Sequence, residues 1–142
     1  MRISDVLRRK GATVVTVAPD HSVRELLGLL AEHHVGALVV SGDGTSVDGI
    51  VSERDVVRHL HTDAERLLDL PVSEIMTTDV HTCTPKDLVT DLMRTMTDER
   101  IRHLPVVHGG ELVGIISIGD VVKHRIDELT DERDQLTAYI TR

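Results

Sequence analysis

Two short runs carry the polar groups best suited to holding a ligand. Ser52-Glu53-Arg54-Asp55 and Ser117-Ile118-Gly119-Asp120 each set a hydroxyl and a carboxylate three residues apart. Each follows an apolar Gly-Ile-Val or Gly-Ile-Ile run and precedes a helical pattern, so each marks a strand passing into a helix. A serine at the N-cap and an acid three residues on form a capping box, which stabilises a helix start by itself. The same place is also a natural anion site, because the first helical N–H groups lack intrahelical partners and carry partial positive charge. Both readings fit either run alone. Recurrence favours the second, because Gly49–His59 and Gly114–His124 share the glycine, the first isoleucine, the serine, the aspartate, two valines and the histidine.

The elements that must position these groups also come twice. Arg2–Arg9 is amphipathic, with Ile3, Val6 and Leu7 on one side, and Val14–Val17 is β-branched and reads as a strand. Val23, Leu26, Leu27, Leu30 and Ala31 keep helical spacing up to Gly36, which is expected to close that helix. Ala37–Val40 is an unbroken apolar run typical of a strand covered on both faces. Ser41–Gly44 is a turn, Val47–Val51 the return strand, and Glu53–His59 a helix. The order then restarts: Val72–Met76 parallels Ile3–Leu7, and Val80–Pro85 parallels Val14–Pro19. Leu88, Leu92, Met93 and Met96 mark a helix. Ile101–Val107 takes the place of Val35–Ser41, and Leu112–Ile116 returns after a Gly109-Gly110 turn. These correspondences divide the chain into repeat one (8–62), a linker (63–71), repeat two (72–128) and a helical extension (129–142). A half of this size buries too little apolar area to be secure alone, so the two halves are expected to face one another across a pseudo-two-fold axis. Beyond His124, the residues Val122, Ile126, Leu129, Leu136 and Ile140 form one apolar stripe interrupted at Arg133. It either folds back on its own domain or meets a second copy; the second repeat is already complete, which favours a homodimer.

Composition narrows the chemistry. The chain of 142 residues has a net charge of −8, which argues against nucleic acid as a partner. It has one Tyr and no Phe or Trp, so any flat ring must be gripped by aliphatic side chains. The start, Met1–Asp5, lacks the apolar run of a signal peptide, and no run approaches the ~18 apolar residues of a membrane span. The expected location is the cytoplasm, with no membrane partner. Cys83 is alone, which excludes an internal disulfide and a cysteine-built zinc site. Nine histidines lack metal spacing: His33 and His34 are adjacent, His59 and His61 alternate, and no His-Glu-x-x-His occurs. No Gly-x-Ser-x-Gly elbow surrounds Ser52 or Ser117, and no Walker loop is present. His103 alone stands as a candidate base should the chain process a nucleotide.

The repeated unit resembles the CBS domain, and two such units resemble the tandem pair called a Bateman module. The residues that carry the resemblance are Ile75-Met76-Thr77, Arg102-His103-Leu104-Pro105-Val106-Val107 and the two Gly-Ile-(Val/Ile)-Ser-x-x-Asp segments. It implies an α/β fold of two β-α-β-β-α repeats, here with an extended C-terminal helix. It also implies a non-catalytic regulatory module that takes adenosine compounds between the repeats, with AMP first and ADP, ATP, NAD or S-adenosylmethionine as further possibilities. No cofactor is required, and a separate, unidentified protein would be regulated. By the same resemblance Asp55 and Asp120 each bond a ribose diol and Ser52 and Ser117 lie near phosphate. Gly11, Ala12, Thr77 and Thr78 line the adenine pocket. The strand entrances Gly36-Ala37 and Ile101-Arg102-His103-Leu104-Pro105 lie against the ligand. Arg102 and His103 near Ser117 and Asp120 make that cleft the expected better site; Arg54 serves the other. A ligand-free oligomerisation module and a nucleotide-processing enzyme are the alternatives.

Overall fold

The computed structural model describes residues 1–11 and 13–141. Its elements run α1 (Ile3–Lys10), β1 (Thr16–Val17), α2 (Val23–His33), β2 (Ala37–Val40), β3 (Gly49–Ser52), α3 (Glu53–Asp63), two 3-10 turns (Leu67–Asp69 and Val72–Glu74), α4 (Val89–Glu99), β4 (His103–His108), β5 (Glu111–Ser117) and α5 (Ile118–Ile140). β1 pairs with β2 in parallel and β2 with β3 antiparallel, while β4 and β5 form an antiparallel pair. This is the α/β duplication expected from the repeat, ending in one long helix. The extension after residue 128 is the uninterrupted continuation of α5.

Two details differ from expectation, each for a local reason. The strand expected at Val80–Pro85 shrinks to a single parallel bridge from Cys83 to Val106. Cys83 N–H donates to Pro105 O (3.0 Å) and Val107 N–H to Cys83 O (2.8 Å). The next amide, Thr84, is captured by Asp87 Oδ2 at 2.8 Å, which turns the chain out of the sheet. Gly36 does not close α2. His34 does, in the left-handed region at φ 53°, and Arg100 closes α4 in the same way at φ 54°. In both repeats the next apolar amide reaches back one turn, Val35 to Leu30 O and Ile101 to Met96 O, so the end motif is shared although glycine is absent. Of the two fates open to the apolar stripe, folding back is not the one seen: every described residue of α5 from Leu129 onward is exposed.

The halves exchange their leading segments. α1 precedes repeat one yet packs in the core of repeat two, where Ile3 and Val6 meet Cys83, Leu92, Met96, Leu104, Val106 and Ile116. Leu67 of the linker and Val72 and Ile75, which open repeat two, fill the core of repeat one beside Val17, Leu26, Leu38 and Val51. This explains the glycine that opens each duplicated motif. A methyl group at Gly49 would lie 2.8 Å from Met76 Sδ and 2.8 Å from Thr77 O, and one at Gly114 would lie 2.6 Å from Leu7 Cδ2. Each glycine is the notch that admits the other half's leading segment.

Candidate functional site

The duplicated helix starts fold alike. Ser52 Oγ accepts from Asp55 N–H (3.4 Å) while Asp55 Oδ2 accepts from Ser52 N–H (2.8 Å) and Oγ–H (3.1 Å). Ser117 and Asp120 repeat the reciprocal cap at 3.1 and 2.9 Å. Both aspartates therefore cap their own helices through one oxygen. What differs is that the capping oxygen of Asp120 also holds a lysine, while that of Asp55 does not.

Asp55 faces a cleft of about 630 Å³ between the repeats. Repeat one contributes Gly36, Ala37, Ser52, Glu53, Arg54, Asp55 and Arg58; repeat two contributes Thr77, Asp79, His81, Arg100, Ile101, Arg102 and His103. The two strand entrances meet here, since a methyl at Gly36 would touch His103 Cε1 at 3.8 Å. Thr77 is pinned along the floor by two backbone bonds with Ile50, both 2.9 Å. Arg54, Arg58, Arg100 and Arg102 form no ion pair among the described residues, although Glu53, Asp55, Asp79 and Glu99 share the cleft. Unpaired guanidiniums, each a planar fork of donors, beside a helix N-terminus suit an oxyanion such as phosphate. One free carboxylate oxygen on Asp55 suits a hydroxyl donor.

Asp120 lies in a smaller cleft of about 330 Å³ lined by Val6, Arg9, Lys10, Lys123, His124 and Asp127. Lys10 Nζ sits 2.6 Å from Asp120 Oδ2 and 2.7 Å from Ile115 O. Burial opposes ionisation of Asp120, but Lys10 and the Ser117 amide outweigh it and hold the carboxyl below its usual range. The asymmetry has a backbone cause. In repeat two's leading segment a single 3-10 turn ends early, so Thr77 reaches Ile50. In the equivalent place α1 continues to Lys10, the Gly11 amide turns back to Leu7 O (2.8 Å), and the lysine side chain takes Ile115 O instead.

The sequence-derived set is thus divided. Gly36, Ala37, Ser52, Arg54, Asp55, Thr77, Ile101, Arg102 and His103 come together at the larger cleft. Gly11, Thr78 and Ser117 line neither cleft, and Ala12 falls outside the described residues. Leu104 and Pro105 are buried strand residues, with Pro105 O tied to Cys83, and line neither cleft. Arg102 lines the cleft of Asp55, not that of Asp120 beside which it was expected. The reason is that Ile118 N–H donates to Arg102 O at 2.8 Å, which ties the entrance backbone to its own helix while the side chain points across to the other repeat's cap. Arg58, Arg100, Asp79 and His81 were not singled out from sequence. Arg58 had a signal, since it follows Ser52 and Asp55 at three-residue steps on α3; Arg100 had none.

Burial, reinforced by the cations Lys10 and Arg102, lowers the His103 pKa, while nearby Asp120 and Glu53 oppose the shift. Burial raises the Cys83 thiol to about 12. Among the described residues no group of His, Cys, Asp or Glu is arranged to hold a metal ion, and no helix is long and apolar enough to cross a membrane.

Comparison with known proteins agrees with this architecture. The CBS domain profile matches residues 3–62 and 72–127. The mitochondrial CBS domain-containing protein CBSX3 of Arabidopsis thaliana is 36% identical over 146 residues, covering 97% of this chain and 71% of its own length. The crystal structure of the CBS-domain containing protein ATU1752 from Agrobacterium tumefaciens superposes with a TM-score of 0.84 at 46% identity, covering 88% of this chain and 99% of that one. The CBS domain pair of MJ0100, solved in complex with 5'-methylthioadenosine and S-adenosyl-L-methionine, shares the fold at a TM-score of 0.76 and 22% identity, covering 87% of this chain and 98% of that one. Two matched domains, exchanged leading segments and the paired Ser-x-x-Asp caps make this chain a member of the CBS domain family, built as a tandem pair.

Proposed function

We propose that the chain is a non-catalytic regulatory module that binds one adenosine nucleotide in the cleft of Asp55 and signals occupancy to a separate protein. AMP is the first candidate, with ADP, ATP and NAD as alternatives that the test separates. In this reading Asp55 takes the ribose hydroxyls through its free oxygen, Arg54 and Arg102 hold phosphate, and the Thr77 backbone flanks the base. The observation that carries it is the coexistence, in one cleft, of an uncommitted carboxylate oxygen and four guanidiniums without ion pairs. The adenosine ligands of the MJ0100 pair support the ligand class. We read Asp120 as the weaker site, because Lys10 already neutralises its carboxylate through Oδ2 and lines the smaller cleft there. The module is taken to act in the cytoplasm as a homodimer.

Thermal denaturation with AMP, ADP, ATP, NAD and adenosine tests this. A ligand of the native state stabilises it by mass action, by about 2.7 kcal/mol at one hundred times its Kd, and so raises the midpoint. A shift with at least one phosphorylated nucleotide, and a smaller one with adenosine, is the expected result. No shift with any of them favours the ligand-free oligomerisation module. Turnover of ATP to products would instead make the chain an enzyme.

A further inference from the structure

α5 carries a feature that the nucleotide site does not use. Its first three turns lie on the body: Val121 and His124 are 1% and 3% exposed, and Asp127 meets Arg9 at 3.4 Å. The rest projects free, with every described residue from Leu129 to Thr141 exposed. A solitary helical segment of that length is marginal in water unless something packs against it.

The open face has the period of a partner helix. Val122, Ile126, Leu129, Arg133, Leu136 and Ile140 alternate steps of four and three, which is a strict heptad seam. Ile126, Arg133 and Ile140 then occupy the a positions, and Val122, Leu129 and Leu136 the d positions. The five apolar members are 46% to 77% exposed, so nothing in the fold covers them. β-Branched residues at a with leucine at d select two parallel strands. The body sits on the opposite side of the helix: Val121, His124 and Asp127 fall at c, f and b. Two copies can therefore pair along a and d with their bodies on the outside.

We propose that α5 forms a parallel, in-register two-stranded coiled coil with a second copy of this chain. The flanking charges agree with that occupant. In a parallel pair each Arg133 at a lies next to Glu132 at g of the other copy, an opposite charge. The g-to-e′ neighbours are Arg125 with Thr130 and Glu132 with Thr137, so no like charges meet across the flanks, and the like-charge contact is the Arg133 layer itself, where a faces a′. A single cationic a layer costs stability and fixes register, as one polar a residue does in other zippers. The coil joins the two pairs at a fixed spacing through the same helix whose N-terminus carries Ser117 and Asp120. The proposal rests on the reading of the chain as a homodimer and names the surface and orientation involved.

The test uses the full chain with one cysteine introduced at Ile126 or at Ile140, the two ends of the seam. Cys83 is buried and does not compete. In the parallel, in-register coil each variant, Ile126→Cys and Ile140→Cys, cross-links to its own copy under mild oxidation, because a faces a′ within disulfide reach. Cross-linking at neither position, or at only one, overturns the orientation. Light scattering on the doubly substituted Leu129→Asp, Leu136→Asp chain gives the second readout. Both side chains are exposed, so the fold survives, and a monomer is expected at concentrations where the unsubstituted chain is a dimer. A dimer that persists in this variant overturns the coil and leaves self-association by another face. A monomeric unsubstituted chain overturns both, and the stripe then belongs to a different protein.

Discussion

Replacing Asp55 by alanine should weaken nucleotide binding far more than replacing Asp120. The magnitude follows from how each carboxylate is already used. Asp55 Oδ2 is committed to Ser52 at 2.8 and 3.1 Å, and the carboxylate has no cationic partner. Its other oxygen is free to accept from a ribose diol. A hydrogen bond to a charged group is worth about 1.5–3 kcal/mol, and its loss raises Kd by roughly 10- to 150-fold. Asp120 is held by Lys10 at 2.6 Å, so its removal should change affinity by less than about threefold. Asp55 also caps α3, and losing that cap costs about 0.5–2 kcal/mol of stability. The assay is therefore isothermal titration well below the melting range of each variant, with circular dichroism to establish that α3 is intact. A folded Asp55→Ala chain that binds within twofold of the unsubstituted one refutes the assignment of the ribose site. So does a larger loss in Asp120→Ala.

Further outcomes follow from the same geometry. Gly49→Ala should destabilise by about 1–3 kcal/mol in urea, because the added methyl meets the backbone oxygen of Thr77, whereas Gly114→Ala meets only the Leu7 side chain and should cost less. Arg102→Ala should weaken a phosphorylated nucleotide but leave adenosine binding unchanged; equal losses for both would place Arg102 away from phosphate. Burial lowers the folded pKa of His103 below its unfolded value, so as pH falls the unfolded chain takes up the proton first and stability falls. Melting temperatures of His103→Gln across pH 5 to 8 should show a smaller slope than those of the unsubstituted chain.

Much of this was legible in the sequence because the fold is written locally and twice. Apolar runs such as Ala37–Val40 and the serine caps at 52 and 117 declare themselves at short range, and the copy at a nearly constant offset makes each declaration more secure. The exchange of leading segments was not legible. Ile3 and Val6 read as an amphipathic face with no indication of which core they enter. The site shows the same division. Ser52 and Asp55 belong to the repeated motif and Thr77 to the Ile75-Met76-Thr77 run, so short-range sequence marks all three. The difference between the two clefts is not marked in this way, because it turns on Lys10 reaching Asp120 and Ile115, contacts across more than a hundred residues with no motif behind them. Leu104 and Pro105 continue the motif that contains Arg102 and His103 but line neither cleft. In β4 successive residues leave the entrance and enter the core.

The most direct test is a crystal structure of the chain grown with AMP. The account predicts one nucleotide per chain, its ribose against Asp55 and its phosphate among Arg54 and Arg102, with the bond from Lys10 to Asp120 intact. A nucleotide seated on Asp120 with Lys10 displaced and the Asp55 cleft empty would contradict it.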